Sequence, residues 1–198
     1  MTDIIPKWKI EIIKKMYNEK KIGKKIKFIH IPKCAGSYAA QYIEHFGIIN
    51  NGHVIANEFD KLTIGIIRNP VERFESFLNF RLSKEQPGKD WPKRLNYLHN
   101  DKTKSLNEII QKLTPFEMLT FNPFRSYIYW TKNINLLVTI KEFLPALYLL
   151  GYQTDKIFPK MNVSSKNRGT LSKESIIKIK KVFKDDMKIY NYWTRKFV

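Results

Sequence analysis

Two short segments of the chain carry side chains that could bind phosphate groups. The first, residues 32–37 (PKCAGS), follows a β-branched stretch and leads into a helical pattern. Free backbone N–H groups at a helix N-terminus favour an anion, and Gly36 would let the backbone approach it closely. Lys33 would add an ammonium group and Ser37 a hydroxyl donor. A tight strand-to-helix turn also needs glycine and serine for structural reasons, so this segment alone leaves both interpretations open.

The second segment lies at the end of a buried strand pattern, residues 64–67 (IGII). Arg68 follows that pattern directly, and Ser76 lies eight residues further on. The carboxyl ends of parallel strands meet at one edge of a sheet, so we expect Arg68 close to the first segment. There Arg68 and Ser76 could share one phosphate group. The alternative is that the arginines here only pair with neighbouring acids: Arg68 and Arg73 with Glu72 and Glu75.

The elements that would position these groups alternate between strands and helices. Strand patterns cover 25–31, 64–67 and 134–140, and helical patterns cover 7–20, 38–46, 71–82, 106–113, 142–150 and 173–190. This alternation predicts a three-layer α/β fold with a parallel central sheet flanked by helices. Ser105 and Ser172 are predicted helix N-caps. We expect one domain over 1–198, with an amphipathic helix within 1–24 and a surface excursion over 83–104.

The chain has 198 residues, with 36 Lys and Arg against 18 Asp and Glu, a formal charge of +18. This surplus suggests an anionic partner such as a nucleic acid, a membrane surface, a nucleotide or an acidic glycan, or else a compositional bias of the surface. The single cysteine excludes an intramolecular disulfide. There is no signal-peptide pattern and no apolar run of membrane-spanning length, so we predict a soluble, cytoplasmic protein. The basic helix over 7–20 could lie on a membrane, but packing on its own domain is favoured.

Together the two segments resemble motifs of a known enzyme family. "FIHIPKCAGSYAAQYI" (28–43) resembles the 5′-phosphosulfate loop of sulfotransferases that use 3′-phosphoadenosine 5′-phosphosulfate (PAPS), and "IIRNPVERFESFLNFRL" (66–82) resembles their 3′-phosphate motif. The closest similarity is to glycan sulfotransferases that include the heparan and uronyl 2-O-sulfotransferases. "VTIKEFLPALYLLGY" resembles their strand–Glu–helix segment, and residues 158–193 resemble their cofactor-covering loop and last helix. Cys34 stands where the family usually has Thr, and Tyr38 where Thr or a small residue is frequent.

The resemblance implies a P-loop-NTPase-like sulfotransferase fold and transfer of a sulfuryl group from PAPS to a hydroxyl group of a glycan, without a metal. The implied binding set for the 5′-phosphate is Lys33, Cys34, Ala35, Gly36, Ser37 and Tyr38. Arg68 and Ser76 would hold the 3′-phosphate. The covering loop would add Ser164, Lys166 and Arg168, unless these are only a solvated basic loop.

Two catalytic roles follow from the resemblance. Lys33 would stabilise negative charge on the bridging oxygen as the 5′-phosphate leaves, as in phosphoryl transfer. A general base would take the proton of the acceptor hydroxyl, and a histidine titrates near neutral pH. His53 lies between the two motifs, where the family places a catalytic histidine. A structural turn residue is the alternative for His53, and Glu58 is the reserve base.

The other three histidines are expected to have structural roles. His30 lies inside a strand pattern and is expected to be a packed core residue. His45 lies at a helix C-terminus, where its charge would suit the helix dipole. His99 lies in the predicted surface excursion, with no partner evident from the sequence.

Acceptor contacts are harder to assign. Basic residues that would suit an acidic sugar, unless they are only surface groups, are Arg81, Lys93, Arg94 and Arg125. Protein tyrosine or a small-molecule hydroxyl remains an alternative acceptor. A kinase or NTPase would carry G-x-x-x-x-G-K-[ST], whereas here Lys33 precedes Gly36. No helix-turn-helix, aromatic platform or zinc finger is recognisable, so no specific nucleic-acid partner is expected.

Overall fold

The computed structural model describes residues 4–21, 23–57, 62–84, 91–121, 124–159 and 169–195. Its strands are β1 Lys27–Ile29, β2 Ile49–Asn50, β3 Thr63–Ile66 and β4 Leu136–Val138. They form one four-stranded parallel sheet in the order β2-β1-β3-β4. Strands β3 and β4 are buried along their whole length, as expected of a parallel sheet covered on both faces.

The helices of the described residues pack on this sheet and on each other. They are α1 Lys7–Lys21, α2 Gly36–His45, α3 Pro70–Leu82, α4 Asn96–Asn100, α5 Leu106–Lys112, α6 Pro115–Thr120, α7 Tyr127–Trp130, α8 Ile140–Leu149, α9 Lys173–Val182 and α10 Lys184–Thr194, with a 3₁₀ helix over Lys93–Leu95. The predicted α/β architecture with a parallel sheet flanked by helices is confirmed at this level. Strand β2 was not predicted, because two exposed residues carry no periodic pattern.

The strand order changes direction at one point of the sheet. From β1 the chain goes to β2 on one side, and it then crosses to β3 on the other side of β1. The connection that follows β1 therefore runs away from β3, and the connection that follows β3 runs away from β1. The switch point lies between these two strands. In open parallel sheets such a switch point is where ligands bind, outside the carboxyl ends of the strands.

Side-chain caps fix where several helices begin. The Asn69 side chain accepts a hydrogen bond from the Val71 amide, with Pro70 in the first turn of α3. Ser105 and Ser172 cap α5 and α9 as predicted. The single helix predicted over 173–190 is instead two helices, because the chain bends at Phe183, whose ring is buried against Phe74 and Phe124.

Helix α1 packs on its own domain, the arrangement that the sequence favours. Lys9, Ile13 and Met16 are its buried residues. The Lys9 ammonium group lies 2.8 Å from the carboxylate of Glu142 on α8, and both side chains are buried. Among the described helices, none is both long and apolar enough to cross a bilayer.

One apolar cluster is formed by the strands with α1, α2 and α8, and a second lies between α3, the helices over 91–121 and α9. Trp91, Leu95 and Leu98 are buried in it, so the expectation of a surface excursion over 83–104 is wrong for residues 91–100. The stretch is polar in composition, but its few apolar residues are three to four positions apart. On short helices this spacing places them on one face, which packs against the cluster. His99 is buried as well. Its Nε2 lies 3.2 Å from the carbonyl oxygen of Arg81, and its ring is edge-on to Trp91.

Candidate active site

One edge of the sheet collects the residues singled out in the sequence. The loop with Lys33 follows β1, Arg68 follows β3, and His53 follows β2. Because these strands are parallel, their carboxyl ends lie on the same edge, and the first two flank the switch point. The short strand β2, which the sequence did not reveal, is the element that brings His53 to this edge.

The loop after β1 has an unusual backbone. Lys33 and Ala35 have φ values of 63° and 62°, in the left-handed region that non-glycine residues rarely adopt. Each such residue costs on the order of 1–3 kcal/mol, and such residues cluster at ligand clamps. Helix α2 begins at Gly36 with Ala35 as its N-cap, and no side chain accepts a hydrogen bond there. The first-turn N–H groups are therefore not capped by a side chain.

The buried side chain of Arg73 fixes the backbone of this loop. Its guanidinium group is fully buried and donates from Nε to the carbonyl oxygen of Pro32 at 3.0 Å. It also donates to the carbonyl oxygens of Phe124 and Arg125, and its Nη1 lies 3.5 Å from the carboxylate of Asp186. The alternative that Arg73 merely pairs with Glu75 is therefore wrong. The signal that could have shown this is the place of Arg73 among the apolar residues of α3 rather than on its polar face.

Tyr127 connects the second segment to the first. Its hydroxyl accepts a hydrogen bond from the Arg68 amide at 2.9 Å, donates to the Arg68 carbonyl oxygen and lies 3.4 Å from Sγ of Cys34. Burial raises the pKa of this hydroxyl well above its usual value, so Tyr127 stays neutral. Burial likewise raises the pKa of the Cys34 thiol. The Cys34 side chain thus packs inward, away from the outer surface of the loop.

Lys33, Arg68 and Lys84 form a group of neighbouring cations, here called the cation cluster. The Nζ atoms of Lys33 and Lys84 lie 4.2 and 4.6 Å from the ring centroid of Phe80. Burial, and then the charges of Arg68 and Lys84, lower the pKa of Lys33. A bound anion would relieve this repulsion. The cluster therefore has the electrostatics of an anion site.

One face of α3 spans the cation cluster. Glu72, Ser76 and Phe80 are spaced by four residues and so share a helix face. Arg68 pairs with Glu72 at one end, Nε to carboxylate 3.2 Å, and Lys33 lies over Phe80 at the other. Ser76 is between them. The exposed pair with Glu72, which the sequence offered as an alternative role for Arg68, is weak enough for an anion to compete with it.

His53 and His30 lie edge to face beside the loop, with ring centroids 4.4 Å apart. Burial, with a smaller contribution from His53, lowers the pKa of His30 to about 4, and partial burial also lowers the pKa of His53. Both imidazoles are therefore neutral at pH 7, the form in which a histidine can accept a proton. His30 was expected to be a packed core residue inside a strand. It is instead half-buried just after β1, at the edge of the site.

The first turn of α2 carries the remaining loop residues. Ser37 and Tyr38 are both half-buried. The Tyr38 hydroxyl lies 3.4 Å from that of Tyr42, and burial, with this neighbour, raises the pKa of Tyr38 to about 12. Tyr38 is thus neutral, and its hydroxyl donates to that of Tyr42.

The basic residues suggested for the acceptor have different surroundings. Arg125 adjoins the site, because Arg73 binds both its carbonyl oxygen and that of Pro32, and its guanidinium carbon lies 4.5 Å from the Tyr129 ring centroid. Arg94 is paired with Glu117 on the surface. Arg81 lies over the ring of Phe77, and Lys93 is exposed. Glu58, Ser164, Lys166 and Arg168 lie outside the described residues.

Within the described part of the chain, no three His, Cys, Asp or Glu side chains come together as a group that could hold a metal ion. Comparison with protein-family models, curated proteins and solved structures finds no match to this chain. The function must therefore be argued from the site itself.

Proposed function

We propose that the chain is a single-domain sulfotransferase of P-loop-like fold that moves a sulfuryl group from PAPS to a hydroxyl group. The observation that carries this proposal is the cation cluster at the switch point. Lys33 and Arg68 come from the ends of adjacent strands, and their charges interact across a helix face that bears Ser76. A donor with phosphate groups at both its 3′ and 5′ positions suits two such cations on neighbouring strand ends.

The residues fit the two ends of this donor. The uncapped N–H groups at the start of α2, with Lys33, Ser37 and Tyr38, would hold the 5′-phosphate. Arg68 and Ser76 would hold the 3′-phosphate. A bound anion would stabilise the charged form of Lys33, because burial and the neighbouring cations disfavour that form in the free protein.

The bound donor would supply an activated sulfuryl group, which leaves its 5′-phosphate oxygen and bonds to the oxygen of the acceptor hydroxyl. The Lys33 ammonium group stabilises the negative charge that develops on the departing phosphate oxygen. The neutral His53 imidazole takes the proton that the acceptor hydroxyl loses. Adenosine 3′,5′-bisphosphate and the sulfated acceptor are the products.

A glycan is the acceptor that we favour. The His53 ring is 6.2 Å from the ring of Trp130, which is 5.1 Å from the ring of the exposed Tyr129. Arg125 lies over Tyr129. An exposed aromatic ring next to a guanidinium group suits a sugar that carries a negative charge.

Calorimetry with adenosine 3′,5′-bisphosphate tests the donor site. The wild type should bind it, and Arg68→Ala should weaken binding at least tenfold, about 1.4 kcal/mol. Arg94→Ala is the matched control, because it removes an arginine that pairs with Glu117 on the surface, and it should bind like the wild type. A folded wild type that does not bind would overturn the proposal. Salt-dependent binding of generic DNA in its place would favour a basic nucleic-acid-binding protein.

A sulfation assay over a panel of acidic glycans, tyrosine peptides and small hydroxyl compounds then tests the acceptor. We expect transfer to acidic glycans, and loss of transfer in His53→Ala with donor binding retained. Transfer only to tyrosine peptides or small hydroxyl compounds would contradict the glycan assignment. Full activity of His53→Ala would remove His53 from the mechanism.

A further inference from the structure

The position of Gly36 depends on a residue outside the loop. A Cβ atom built on Gly36 would lie 1.8 Å from both Cδ2 and Nε2 of His30. No side chain therefore fits at position 36 while the His30 ring keeps its place. The ring edge of His30 lies directly against the backbone where α2 begins.

The same ring also contacts His53. The two imidazole rings are 4.4 Å apart between centroids, at 67° to each other. The backbone N–H of His30 also donates to the carbonyl oxygen of Gly52 at 3.0 Å, in the turn that carries His53. His30 is thus attached to the His53 turn by its backbone and touches the His53 ring with its side chain.

Space filling alone does not account for an imidazole at this position. Burial lowers the pKa of His30 to about 4, because its surroundings disfavour the protonated form of the ring. An apolar side chain could pack against Phe28 and has no protonated form to disfavour. A polar ring between two functional segments points to a positional role.

We infer that His30 is a positioning residue that links the Gly36 end of the loop to the His53 ring. Movement of the loop backbone on anion binding would be passed to His53 through the His30 ring. The role of His53 as the base rests on the proposed function, whereas the link through His30 rests only on the contacts above.

A ligand-free experiment tests the link by NMR of the histidine Cε1–Hε1 signals. Gly36→Ala should shift the His53 signal, because the new methyl group must displace the His30 ring. In the His30→Ala background, the same Gly36→Ala change should leave the His53 signal where His30→Ala alone puts it. A wild-type His53 signal in Gly36→Ala would overturn the inference, and so would an equal shift in both backgrounds. His45→Gln serves as the control, because it should remove its own signal and leave that of His53 in place.

A second experiment adds adenosine 3′,5′-bisphosphate. Binding should shift the His53 signal of the wild type. His30→Ala should abolish that shift while its calorimetric Kd changes by less than about tenfold. His30→Phe keeps a ring between Gly36 and His53 and should restore the shift. An equal shift in His30→Ala, or no restoration in His30→Phe, would contradict the link.

The two experiments also separate the two proposals. If the folded wild type does not bind adenosine 3′,5′-bisphosphate, the proposed function fails, and the ligand-free comparison still decides whether His30 links Gly36 to His53. Thermal unfolding of each variant shows that the signals come from folded protein.

Discussion

Nε of Arg73 donates to the carbonyl oxygen of Pro32 across 3.0 Å, from within the protein core. This bond joins the second candidate phosphate-binding segment to the first, because Arg73 lies on α3 and Pro32 begins the loop after β1. The spacing between the two candidate phosphate sites therefore depends on a residue that contacts neither.

Arg73→Met should destabilise the protein by about 3–5 kcal/mol, because it leaves the carboxylate of Asp186 buried without its cation. Three carbonyl oxygens lose their donor as well. Urea unfolding at neutral pH measures the change. Arg94→Met is the comparison, since its exposed pair should contribute under about 1 kcal/mol. Equal losses in the two variants would contradict the role given to Arg73.

Tyr127→Phe should cost about 1–3 kcal/mol of stability, because the hydroxyl that bonds both the N–H and the C=O of Arg68 disappears. It should also weaken binding of adenosine 3′,5′-bisphosphate, because the backbone of Arg68 is then less well fixed. Chemical unfolding and calorimetry measure the two effects. Tyr148→Phe, at an exposed tyrosine, should change neither. Unchanged ligand affinity in a less stable Tyr127→Phe would separate this contact from the site.

Lys33→Met should lower kcat for sulfuryl transfer by about 10²–10³-fold, as expected when one group that stabilises developing charge is removed. Lys84→Met removes a cation over the same Phe80 ring and should have a smaller effect on kcat. Steady-state kinetics with the best acceptor of the panel measures both. If Lys84→Met reduced kcat as much as Lys33→Met, Lys33 would have no special place in the reaction.

Stability should fall as the pH is lowered from 6.5 towards 4, partly through His30. The folded pKa of about 4 lies below the ordinary value of 6.5, so the unfolded chain binds the extra proton in this window. His30→Phe should therefore lose less stability than the wild type between pH 7 and pH 4.5. Urea midpoints at the two pH values measure the difference, and parallel declines would show that His30 is not held neutral by the fold.

The sequence predicted much of the scaffold, for reasons that are local. Ser105 and Ser172 cap helices where their side chains can bind the first-turn amides, and strands β1, β3 and β4 lie within two residues of their predicted bounds. Strand β2 could not be predicted, because its two residues are exposed and too few to show a periodic pattern. The bend at Phe183 depends on tertiary packing around its ring.

The sequence predicted the strand ends that bring the candidate site residues together, but not the hydrogen bonds that hold them in place. Parallel strand ends bring Lys33 and Arg68 to one edge, as the strand patterns indicated. The buried donors that fix those parts, Arg73 and Tyr127, have partners 41 to 59 residues away along the chain. Spacing within one element does not reveal such long-range hydrogen bonds. The position of His30 against Gly36 likewise follows only from the folded backbone.

The methyl group of Ala35 has a consequence for the way a ligand would meet the loop. Glycine would adopt a φ of 62° without strain, but it would also let the free loop visit many other shapes. Alanine has fewer accessible conformations, so less disorder is lost when the loop closes around a bound group. Ala35→Gly should therefore leave the loop more mobile before binding and shift the entropy of binding, rather than its enthalpy, in the unfavourable direction.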